Sequence, residues 1–65
     1  MTIEHAEQLI EVIKKSSKVY VHVTYIDTSV RVTKAEAIKL VQSAKAQGYD
    51  LFSHTFENTL YLDQA

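Results

Sequence analysis

Cysteine, proline and tryptophan are absent from this 65-residue chain, and glycine occurs once, at Gly48. Without cysteine there is no disulfide to staple a small fold and no thiolate set for a zinc or iron–sulfur centre. Without proline, and with one glycine, the composition is not that of a linker or a disordered tract, and Gly48 alone is no phosphate-cradling loop. Neither charge is in excess: seven Lys plus Arg against eight Asp plus Glu leave −1. That balance supplies neither the basic surface that holds phosphates nor the dense acidity of a nucleic-acid mimic. No apolar run approaches membrane-spanning length, and Met1 to Glu7 lack the basic region and apolar core of a signal peptide. The expectation is a single domain over residues 1–65, cytoplasmic, with no membrane association. A domain of this size buries only about 60% of the surface its unfolded chain exposes. Its stability must therefore come from close packing or from a partner subunit.

What is present is dominated by one stretch, Lys18 to Ile26, where β-branched and aromatic residues alternate with a period of two. Val19, Val21, Val23 and Tyr25 point one way and Tyr20, His22, Thr24 and Ile26 the other. The valine face is the expected core face, leaving the Tyr/His/Thr face outside. Ahead of it, Ile3, Ala6, Leu9, Ile10 and Ile13 recur at helical spacing behind a Thr2 cap, with Lys14 and Lys15 closing the last turn, which predicts a helix from about Thr2 to Lys15. Val30, Arg31 and Val32 resume the alternation after Asp27 to Ser29. If Val30 and Val32 share the valine face, the loop holds an even number of residues; Ile26 to Ser29 would pair Tyr25 with Val30 and Val23 with Val32. Arg31 then lies beside His22 and Thr24.

Thr33 to Glu36 has the composition of a capping box, opening a helix that runs from Lys34 to Gln47, buries Ala37, Ile38, Leu40, Val41 and Ala44, and stops at Gly48. The rest reads as a second hairpin, Tyr49 to Phe56 with Leu60 to Asp63. A three-residue loop, Glu57 to Thr59, pairs Phe56 with Leu60 and His54 with Leu62. It gathers Phe52, Phe56, Leu60 and Leu62 in the core and puts Ser53, Thr55, Tyr61 and Asp63 outside. A two-residue loop would split Phe56 from Leu60, so the longer loop is expected. The fold class is α+β: a two-layer α-β-β-α-β-β arrangement, an antiparallel sheet with both helices packed on one face. The other sheet face is left open.

The histidines are expected on a helix (His5), the open face (His22) and the core face (His54), so they do not converge on a metal, and neither a metal nor a cofactor site is expected. Ser and Thr are plentiful, but no base and orienting group accompany them around a pocket, and the chain is read as no enzyme. The open face would bind through Tyr20, His22, Thr24, Arg31, Thr55 and Tyr61. Aromatics beside an Arg can stack single-stranded bases, which makes single-stranded nucleic acid the alternative partner, although net charge opposes it. The plainer reading is that these side chains simply solvate a sheet face. The expected partner is another protein, because aromatic and Arg-bearing surfaces poor in lysine match interface composition, and small size adds a homodimer. In size, in lacking cofactor motifs, and as a compact α+β unit without Cys or Pro, the chain resembles the small phage-encoded proteins that bind and inhibit host machinery, anti-defence proteins among them. The resemblance lies in architecture and implies a small inhibitor or regulator of a larger protein complex; it assigns no site residue.

Overall fold

The computed structural model describes all 65 residues. Two helices, α1 (Ile3–Lys15) and α2 (Lys34–Ala46), cover one face of a four-stranded sheet built from β1 (Tyr20–Tyr25), β2 (Thr28–Thr33), β3 (Leu51–Phe56) and β4 (Thr59–Gln64). The α-β-β-α-β-β order is the expected one. The sheet is mixed, however, not purely antiparallel: its order is β2-β1-β4-β3, and the two inner strands, β1 and β4, run parallel. Each hairpin is antiparallel, as its short turn requires, but hairpin sequence carries no instruction about how two hairpins join. Here β2 and β3 take the two edges.

Both helices start where their caps say. The Thr2 hydroxyl accepts from His5 N at 3.0 Å, and Thr33 Oγ1 accepts from Glu36 N at 3.4 Å. The Glu36 carboxylate does not complete a reciprocal box; it sits 3.6 Å from Lys39 Nζ, one turn on. α2 ends in a Schellman motif: Gly48 N donates to Lys45 O and Tyr49 N to Ala44 O, with Gly48 at φ +85°. Tyr49 then packs on the core, its ring centroid 5.8 Å from that of Tyr25.

The core is apolar throughout. Ile13, Val21, Val23, Val41, Leu51 and Leu62 are its largest fully buried side chains. Val21, Val23 and Tyr25 take the core face as alternation predicts, but Val19 precedes the strand and is 71% exposed. Ile3, at the first position of α1, is exposed too, contrary to its place in the expected stripe.

The first hairpin keeps the expected parity with a shorter turn. Ile26 and Asp27 form the loop, so Tyr25 pairs with Thr28, Val23 with Val30 and Val21 with Val32. A shift of two residues leaves every side chain on its predicted face. The second hairpin differs by one residue, which reverses its β3 strand. Its loop is Glu57-Asn58, both in the left-handed region at φ 48° and 67°, and Phe56 pairs with Thr59, Thr55 with Leu60, His54 with Tyr61. That is the two-residue turn whose twist matches a right-twisted hairpin. Leu51, Leu60 and Leu62 thereby reach the core, while Phe52, His54 and Phe56 pass to the open face and Ser53 and Thr55 to the helix side.

Candidate interaction face

The sheet face without helices is a lattice of three rows by four strands, fixed by the registers. Across β2, β1, β4 and β3 the middle row reads Arg31, His22, Tyr61, His54. To one side lies Ser29, Thr24, Asp63, Phe52; to the other, Thr33 and Tyr20 on β2 and β1, with Thr59 and Phe56 closing the far hairpin. Of the binding residues expected from sequence, Tyr20, His22, Thr24, Arg31 and Tyr61 stand here together. Thr55 does not. Its strand is reversed by the two-residue turn, and Thr55 lies on the helix side, lining an open groove of about 460 Å³ with Glu11, Val12 and Lys15.

Phe52, His54 and Phe56 are the additions that the register makes. Phe56 is 61% exposed, Tyr20 48% and Phe52 46%. The rings are ordered against one another: His54 and Tyr61 stack at 5.2 Å with planes 12° apart, Phe52 and His54 at 5.6 Å and 24°, and His22 leans on Tyr61 at 5.5 Å. Near-parallel rings at these separations overlap face to face with an offset, an arrangement worth about 0.5–1.5 kcal/mol per pair beyond area burial. At the other corner the Arg31 guanidinium carbon lies 5.1 Å from the Tyr20 ring centre.

Polar groups on the face hold the rings rather than compete with them. His54 Nε2 donates to the Asp63 carboxylate, fixing the imidazole between Phe52 and Tyr61. His22 Nδ1 and Thr24 Oγ1 are 3.3 Å apart. Arg31 is then the one cationic side chain of the lattice and Asp63 its one carboxylate. His5, as expected, is on α1, where Nε2 donates to Leu51 O at 2.6 Å. His22 and His54 stand on the same face with Tyr61 between them, contrary to the expected core position of His54. No three His, Asp or Glu side chains gather into a ligating cluster.

The arrangement can offer apolar ring edges, two exposed phenylalanines and one guanidinium to a flat partner surface. Set against protein-family models, curated proteins and solved structures, the chain matches none of them. No helix is long and apolar enough to cross a membrane.

Proposed function

We propose that the chain is a non-catalytic protein-binding module of the cytoplasm, an inhibitor or regulator of a larger protein assembly in the manner of the small phage-encoded inhibitors it resembles. The observation that carries this reading is the open face: Tyr20, Phe52 and Phe56 are exposed in its outer rows, around the packed His22–Tyr61–His54 row and Arg31. Exposed aromatics and Arg, ringed by small polar residues, have the composition of interface hot spots.

Single-stranded nucleic acid is the second reading, favoured by the same row of rings. Two features weigh against it. A base needs a free ring face, and His54 and Tyr61 are each flanked by two other rings. The backbone of a nucleic acid needs several cations, and the lattice offers Arg31 alone, with an acidic Asp63 two strands away.

A pull-down from lysate, with and without nuclease, separates the readings. A protein retained after nuclease, and lost with Arg31→Ala or Tyr20→Ala, supports the module. Capture that vanishes with nuclease, or single-strand binding that falls steeply with salt, overturns it.

A further inference from the structure

Of the two sheet edges, β3 is the less protected: Leu51 to Phe56 contains no charge at neutral His, no proline and no glycine. Edges of this kind are templates for pairing unless blocked. The hydrogen-bond pattern shows which backbone groups are available. Asp50 O accepts from Ala65 N at 3.0 Å, and a two-residue turn closes at Phe56 and Thr59, so the even-numbered residues of β3 spend their backbone groups on β4. Those of Leu51, Ser53 and Thr55 face outward. The carbonyl of Leu51 is already taken by His5 Nε2. What remains is a short, uncharged docking segment centred on Ser53 and Thr55.

We propose that a second copy of this chain occupies this edge, in an antiparallel two-fold pairing with His54 on the axis. Pairing across an antiparallel ladder joins residues that share a face, and the two free positions satisfy each other: Ser53 meets Thr55 of the second copy, and Thr55 meets its Ser53, about four hydrogen bonds in all. The neighbouring register, centred on Ser53, needs the Leu51 carbonyl that His5 holds. In the proposed register Phe52 lies opposite Phe56 of the second copy and Phe56 opposite its Phe52. The two most exposed rings of the strand are thus set side by side, touching at one flank and still facing outward. The two open faces join into one eight-stranded surface, and a domain with a small core gains apolar burial. On β2, by contrast, the middle outward position is Arg31, a charge that opposes the same pairing. This inference shares Phe52 and Phe56 with the open face but does not rest on the proposed function, since the cross-link and the mass are read without any partner.

The absence of cysteine makes the register directly readable. In a non-hydrogen-bonded antiparallel pair the Cα atoms are about 4.5 Å apart, within disulfide reach. His54→Cys should therefore cross-link to its own copy under mild oxidation, in nearly every chain, whereas Val30→Cys, the matching position on β2, should stay monomeric on a denaturing gel. Light scattering of the unaltered chain should give twice its 7.4 kDa mass at high concentration. Ser53→Pro removes only an outward donor, and should yield a monomer whose circular dichroism is unchanged. A monomer mass for the unaltered chain overturns the proposal, as does equal cross-linking at positions 54 and 30, or a folded Ser53→Pro that stays dimeric. If Ser53→Pro unfolds, the cysteine pair decides.

Discussion

Truncating Phe56 measures which face of the sheet it occupies. A fully buried Phe→Ala change costs about 3–5 kcal/mol, of which transfer and the cavity left behind are the parts. Phe56 is 61% exposed, so about two-fifths of that environment is protein, and Phe56→Ala should cost about 1–2 kcal/mol. Leu60, 3% exposed and four positions on across the turn, is the internal standard: Leu60→Ala should cost about 2–5 kcal/mol. Under a three-residue loop both side chains would share the core and both losses would be large. Urea unfolding followed by circular dichroism reads the difference as a shift in midpoint at constant slope. For a domain of this size, 1 kcal/mol corresponds to about 4–8 °C in Tm, so a thermal melt resolves the two outcomes as well. A Phe56→Ala loss equal to that of Leu60→Ala would refute the register and with it the composition of the open face.

The remaining predictions concern turns and caps. Replacing Glu57-Asn58 by Asn-Gly, the preferred pair for two positive-φ positions, should stabilise by about 1 kcal/mol in a thermal melt, since Glu57 stands at φ 48°; a loss would mean the turn is of another type. Gly48→Ala should cost about 1–2 kcal/mol although a Cβ there meets nothing within 4 Å, because φ +85° is the whole penalty. A neutral result would argue against the Schellman end of α2. Thr33→Ala should cost about 1 kcal/mol by loss of the hydroxyl that accepts from Glu36 N. An unchanged urea midpoint would place the start of α2 elsewhere.

Local chemistry was legible in the sequence wherever one residue decides it. Thr2, Thr33 and Gly48 mark helix ends because a short hydroxyl side chain accepts from a first-turn amide and a residue without Cβ takes the positive φ that closes the last turn. The period of two placed Val21 and Val23 inward, and the even loop kept Val30 and Val32 with them. The second hairpin was harder because its two constraints conflict. Counting apolar side chains favours burying Phe52 and Phe56, and that demands an odd loop. Turn geometry favours two residues at positive φ, which Asn58 accommodates and Glu57 does not advertise. Geometry won, because Leu51, Leu60 and Leu62 suffice to fill the space beneath the helices. The legible signal was Asn58 as the second of two turn residues; once it is read so, His54 and both phenylalanines move to the open face and Thr55 leaves it. The parallel β1–β4 contact left no mark in the sequence, since both inner strands alternate and either edge of either hairpin could have been the joining one.

Register and function meet at two adjacent residues. Thr55 and Phe56 are both exposed, but Phe56 belongs to the open face and Thr55 to the groove beside α1. Titrating the captured partner against Phe56→Ala and Thr55→Ala, each confirmed folded by circular dichroism, tests the central claim with one pair of isotherms. Phe56→Ala should weaken binding about tenfold or more, as loss of an aromatic anchor does, and Thr55→Ala should leave it within about twofold. Weakened binding for Thr55→Ala with Phe56→Ala unaffected would put the functional surface on the helix side and contradict the account.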